Sequence, residues 1–232
     1  ITFLPGILLT DYPTKDGLPT DGGKIFPLGS ISDRMTICCN ESGTWLTYIS
    51  DKYGFHNSNS VYHDDTIDAV MIGDSFTEGW AVPSEQNISS VLISAGLNVV
   101  NLGRGANGPL LEYAILKEYG EALKPRIVLW LYFENDLENL SYEMKSDLLI
   151  RYLNEDEFTQ ALISRQNEIN HTLIGYIEKK RQELENRDRV RRQQLVVAHR
   201  EEFASKRVIR ILKLRNIREV ANLVPESRIV DA

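Results

Sequence analysis

Three short apolar runs constrain this chain more than any other feature. Each is closed by a glycine or polar loop, and helix-like stretches separate them. The first, Ile67 to Ile72, lies between Asp65 and Gly73. The second, Leu97 to Leu102, ends at Gly103, and the third, Arg126 to Phe133, runs into Glu134-Asn135-Asp136. Near-continuous apolar runs of this length suit strands buried on both faces. Ser84 to Ala95 reads as a helix, with Ser84 as N-cap, Glu85 in the first turn and Gly96 as the stop. Pro109 to Leu123 reads as another, with Leu110, Leu111, Ala114, Ile115 and Tyr119 on one face. The order β-α-β-α-β with short links and right-handed crossovers predicts an α/β protein, an open three-layer sandwich around a parallel sheet.

The flanks differ from this centre. Residues 1–60 are rich in Gly, Pro, Asp, Ser and Thr, and Asp11-Tyr12-Pro13, Asp16-Gly17, Asp21-Gly22-Gly23 and Glu41-Ser42-Gly43 read as turns. Only short strands fit between them, such as Trp45 to Ile49. This segment is expected to be an irregular lead-in that lies on the domain 61–232. From about Ser141 the pattern is helical, an elaboration over 141–223. Phe158 to Leu223 holds no proline and one glycine, Gly175, and predicts two or three helices.

Composition narrows the function classes. With 232 residues and 42% hydrophobic content, one sizeable core can form. The longest apolar run, Ile127 to Phe133, is far short of the roughly 18 to 20 residues of a membrane-spanning helix. No secretory signal is legible, and a start at Ile1 is what a processed form or fragment would show. Adjacent Cys38 and Cys39 support neither a disulfide framework nor a zinc site. A net charge of −7 argues against a general nucleic-acid binder. Lys179 to Arg218 nevertheless carries 14 basic against 5 acidic residues. That stretch is either a contact for an anionic partner or an exposed helix laced with ion pairs, with Val208, Ile211, Leu212 and Ile217 as its buried face.

Ligands of open parallel sheets bind beyond the carboxyl ends of the strands. The loops there are Gly73-Asp74-Ser75-Phe76-Thr77-Glu78-Gly79, Asn101 to Gly108, and Glu134-Asn135-Asp136. A serine hydroxyl, backbone amides of a glycine-rich loop and an asparagine amide supply a nucleophile and an oxyanion site. Each also has a plainer use. Ser75 can be a turn serine, Asn135 a helix cap, and Gly103, Gly105 and Gly108 a tight strand-to-helix turn. His63 precedes the first strand and is expected on the surface, away from Ser75. His171 and His199 lie in charged helical stretches. His56 sits on a loop that the sequence does not place.

The three blocks resemble the SGNH hydrolases, the GDSL family of esterases and lipases, over about residues 61–140. Gly73-Asp74-Ser75 matches the first signature. Asn101 to Ala106 matches Asn-x-Gly-x-x-Gly with Ala106 in place of the last glycine, and Phe133 to Asp136 matches Gly-x-Asn-Asp with Phe133 in place of the glycine. The resemblance implies a three-layer α/β/α sandwich of flavodoxin-like SGNH type. It implies hydrolysis of O-acyl esters (esterase, deacetylase or lipase-like) through a Ser75 acyl-enzyme, with no cofactor and no metal. The amides of Ser75 and Ala106 and the Asn135 side chain would form the oxyanion hole, with Gly73, Asp74, Gly103, Gly105 and Asp136 in support. Asp74 would serve as a structural acceptor rather than as the triad acid. The partner would be a small-molecule, lipid or carbohydrate ester rather than a nucleic acid, and family members include acyltransferases acting on polysaccharides. Bacterial domains of this kind are often exported or membrane-tethered. The family's Asp-x-x-His block occurs nowhere in this sequence, so the catalytic His and Asp are not found. The fold is therefore expected to be incomplete at the C-terminus, and the isolated chain inactive or a silent binding domain. A second enzyme class also fits Gly73 to Glu78: haloacid-dehalogenase-like phosphatases carry Gly-Asp-x-x-x-Asp after a strand. Their upstream Asp-x-Asp is absent here.

Overall fold

The computed structural model describes residues 2–3, 17–20, 23–39, 43, 45–64 and 66–220, of which 2–3, 38–39 and 196–220 are described by backbone alone. It divides into two units, Ile1–Tyr176 and Ile177–Ala232. The first unit is mixed α/β. Its centre is a parallel sheet of three strands in the order β7-β6-β8, where β6 is Ala69–Gly73, β7 is Val99–Asn101 and β8 is Ile127–Leu131. Two smaller sheets precede it. One joins β1 (Thr2–Phe3), β4 (Met35–Cys39) and β5 (Leu46–Ile49), and the other is the hairpin of β2 (Leu18–Thr20) and β3 (Gly23–Ile25).

The apolar runs therefore become strands one to three residues shorter than their sequence limits. Strand β6 is buried throughout, and Val70, Met71 and Ile72 are each fully inaccessible. Burying each such side chain contributes about 1.5–3 kcal/mol before entropy is counted. Val99 and Val100 of β7 are equally buried. Strand β8 departs from expectation. It is the sheet edge beside β6, and Ile127, Val128, Leu129 and Trp130 are 57%, 41%, 36% and 47% exposed. Apolar composition promised cover on both faces, and no described element supplies it.

The helices differ in detail from their sequence limits. After α1 (Ser75–Glu78), the stretch expected to begin at Ser84 splits. Ser84–Gln86 is a 3-10 turn, and α2 spans Ile88–Ser94. Asn87, not Ser84, is the N-cap of α2; its Oδ1 accepts from Ser90 N at 2.8 Å, a contribution of about 1 kcal/mol. Helix α3 covers Pro109–Ile115, then loosens into a π turn at Leu116–Gly120 and a 3-10 turn at Glu121–Leu123. All five residues of its expected apolar face are buried. Helices α4 (Asp136–Glu143) and α5 (Asp147–Asn154) follow.

The expected two or three terminal helices are one, α6, from Gln166 to Val220. Gly175 does not break it, because a glycine costs a helix only about 1 kcal/mol. In its first part Ile169 and Leu173 are fully buried. The side chains of Val208, Ile211, Leu212, Ile217 and His199, and the turns at residues 11–13 and 21–22, lie outside the described residues. No described helix is long and apolar enough to cross a membrane.

The lead-in is stitched to the sheet rather than merely laid over it. Asp51 is buried, and its two oxygens accept from Tyr53 N, Phe55 N, Asn57 Nδ2 and Tyr62 Oη at 2.7–2.9 Å. The loop so folded presents Asn57 to the free edge of β7. There Asn57 Oδ1 accepts from Asn101 N, and Asn57 Nδ2 donates to Asn101 O, each at 2.8 Å. One side-chain amide thus imitates a neighbouring strand and satisfies backbone groups that would otherwise be orphaned.

Candidate active site

The three signature loops meet at the carboxyl end of the sheet. Gly73 closes β6 at φ +154, a conformation open to glycine, and a Cβ there would meet Thr77 Oγ1 at 2.1 Å and Leu131 O at 2.7 Å. Asp74 then caps α1: its Oδ1 accepts from Phe76 N at 2.9 Å. Ser75 is the first residue of that short helix and is half-buried. Its hydroxyl donates to Asp74 Oδ2 over a long 3.4 Å. Asp74 thus acts as a local hydrogen-bond acceptor.

The second loop packs on the first. Arg104 N donates to Gly73 O at 3.0 Å and Gly105 N to Glu78 Oε2 at 2.6 Å. A Cβ on Gly103 would lie 2.6 Å from Glu78 N, and one on Gly105 would lie 3.6 Å from Ser75 Cβ. Asn101 fastens the turn from below: its Nδ2 donates to Thr77 O at 2.6 Å, and its Oδ1 accepts from Gly103 N at 2.8 Å. Ala106 is left-handed, with φ 63. Its N–H makes no hydrogen bond among the described residues.

The third loop adjoins both others. The rings of Phe76 and Phe133 are 4.5 Å apart, and Asn139 Nδ2 donates to Asn107 O at 3.2 Å. Phe133 thus packs its ring against Phe76 of α1. Asp136 begins α4 fully buried, and its Oδ2 accepts from Phe133 N at 2.7 Å. Asn135 stands at the N-cap position but makes no side-chain capping bond. Its amide is exposed. The plainer use of Asn135 as a cap is thus absent.

Beneath these loops lies a group of carboxylates of which sequence reasoning named only Asp74 and Asp136. Asp74, Glu112, Asp136 and Glu143 are all buried. Glu143 holds the start of α3, accepting from Gly108 N at 2.5 Å and Leu110 N at 3.0 Å. Glu112 accepts from Trp130 Nε1 at 2.7 Å, while its other oxygen is unpartnered, as is Asp136 Oδ1. Loss of water, then the charges of Asp136, Glu143 and Asp74, push Glu112 up to about 8. Burial likewise raises Asp136 and Glu143. Single acidic residues scattered over 70 positions carry no local signal that they will share one core.

No described histidine touches Ser75. His56 is buried, with Nδ1 2.9 Å from Glu78 O, Nε2 2.8 Å from Ser84 Oγ and its ring stacked on Tyr48 at 3.8 Å. His63 and His171 are exposed. Glu78, which stands at the last Asp position of the phosphatase pattern, accepts from Tyr48 Oη at 3.0 Å and from Gly105 N, and burial raises its carboxyl. No group of three possible metal-binding side chains occurs among the described residues. Comparison with protein-family models, with curated proteins and with solved structures finds no match.

Proposed function

We propose that the three loops form the nucleophile-and-oxyanion half of an SGNH-type serine hydrolase for O-acyl esters, with the parallel sheet as the core of a flavodoxin-like α/β/α sandwich. The observation that carries this reading is that the loop packed against Ser75 through Gly105 leaves the Ala106 N–H without an acceptor among the described residues, at a left-handed backbone position. The exposed Asn135 side chain, on the third loop, makes no capping bond. Groups held without local partners are what an oxyanion site requires.

In this reading Ser75 Oγ attacks the acyl carbon. The negative charge moves to the former carbonyl oxygen, where the amides of Ser75, Ala106 and Asn135 receive it. The Ser75 proton needs a base, and the only described group in contact with the hydroxyl is Asp74. The base therefore comes from outside the described residues. Because no described base touches Ser75, a second reading stands beside the first: a silent SGNH-like domain that binds its ester without cleaving it.

Turnover of a short-chain aryl ester tests the proposal, measured on the 232-residue chain and on a form extended along its reading frame by about 50–100 residues, a sizeable part of a further domain. Asn135→Ala should lower turnover of the active form by about 10²–10³-fold. Its unfolding midpoint should not move, since no capping bond is lost. Ester turnover left unchanged by Ser75→Ala in an active form would refute the proposal. A folded, ester-binding but inactive extended form would favour the silent domain.

A further inference from the structure

The contacts of His56 dictate its tautomer. Glu78 O is a carbonyl and can only accept, so Nδ1 must carry a proton. Burial lowers the affinity of this ring for a second proton, and the neutral ring then leaves Nε2 as a lone-pair acceptor. The group facing Nε2 is the Ser84 hydroxyl, at 2.8 Å. Ser84 therefore donates to His56, which is the arrangement of a nucleophile and its general base, with the Glu78 carbonyl as the third, orienting group. Stacking on Tyr48 at 3.8 Å holds the ring in place.

Both residues open onto one cavity of about 720 Å³, a size suited to a small ligand. Its wall holds seven serines and three asparagines, and Glu85 is its one charged residue among those described. Such a surface matches an uncharged carrier rich in hydroxyls. Asn87 lines the same wall. Its Oδ1 is occupied by Ser89 Oγ and Ser90 N, while its amide nitrogen donates to no described group and remains free to receive an oxyanion.

We propose that Ser84 and His56 form a serine–histidine acyl-transfer site of their own, separate from Ser75, for a short-chain ester of an uncharged polar alcohol. Ser84 Oγ bonds to the acyl carbon as its proton passes to His56 Nε2. The carbon–oxygen bond to the alcohol breaks, and the alcohol leaves with that proton. Water, giving a proton to Nε2, then attacks the acyl-serine, releases the acid and restores the Ser84 hydroxyl. Nothing in this sequence uses Ser75, so the proposal does not rest on the preceding one.

The test treats the 232-residue chain with a fluorophosphonate and locates the adduct by peptide mass mapping. Ser84 should label at least about 10-fold faster than Ser58 and Ser60, which line the same cavity without a histidine partner. His56→Gln should slow Ser84 labelling by about 10²–10⁴-fold, the usual contribution of a positioned base. Should His56→Gln fail to fold, nitrogen NMR of the imidazole in the unaltered chain decides the point, with a proton on Nδ1 and none on Nε2 expected at neutral pH. Labelling of Ser75 alone, equal labelling of Ser58, Ser60 and Ser84, or an Nε2-protonated ring would each overturn the proposal. Labelling of Ser84 alone would support it.

Discussion

Replacing Ala106 by glycine should make this chain more stable, although the change removes a methyl group. Ala106 sits at φ 63, where an L-residue with a Cβ suffers a clash that glycine avoids. The left-handed conformation costs such a residue about 1–2 kcal/mol. Against this, glycine gives the unfolded chain more freedom, worth about 0.4–1 kcal/mol. The methyl is exposed, so no burial is lost. The balance is a gain of about 0.8 kcal/mol. With a urea slope of about 2–3 kcal/mol per molar, the unfolding midpoint should rise by about 0.3–0.4 M. Ala106→Val supplies the opposite arm, since a β-branched side chain tolerates φ > 0 worst; it should lower stability by about 1–3 kcal/mol. The order Gly above Ala above Val, read by circular dichroism in urea, is the expected result. A glycine variant less stable than its parent by 1 kcal/mol, or a valine variant equal to it, would refute the argument. All three variants keep the N–H that the proposed oxyanion site uses.

Glu112 provides a pH test. Folded, it keeps its proton to about pH 8, whereas the unfolded carboxyl loses it near 4.5. Between those values unfolding releases a proton, so this group's contribution to stability falls as pH rises across that window. Glu112→Gln, which can still accept from Trp130, should match the parent near pH 4 and become progressively more stable than it toward pH 8. Parallel stability–pH curves would show that the carboxyl is not held protonated. Gly103→Ala should destabilise by about 1–3 kcal/mol or more, because its Cβ would lie 2.6 Å from the Glu78 nitrogen and that backbone cannot rotate away. An unchanged melting temperature would mean that the first two loops are not packed as described.

Much of the central sheet was legible because it depends on local pattern. An apolar run such as Ala69–Gly73 must leave water, and the glycine that follows must turn. Three such runs with helices between them leave few topologies besides a parallel sheet. The loops that hold Ser75, Ala106 and Asn135 follow at once, since they begin where the runs stop. The α2 boundary was misread because Ser84 and Asn87 both suit an N-cap, and only the chain's path to α2 selects Asn87.

Other features had no local signal. Asn57 closing the edge of β7 joins residues 44 apart, and His56 meeting Ser84 joins residues 28 apart. Whether a histidine is a solvated side chain or a buried base is decided by which carbonyl and hydroxyl the backbone brings to its two nitrogens. The same holds for Glu112, ordinary on a helix until β8 and α4 enclose it. For β8 the sequence predicts cover and the tertiary structure leaves the side chains open, because composition states what a strand can bury but not which element arrives to bury it. Periodicity along the chain thus determined the strands, the order of the loops and the residues at their tips. Charge states, edge closure and the pairing of nucleophile with base belong to tertiary structure, because they depend on distances between residues that the sequence holds apart.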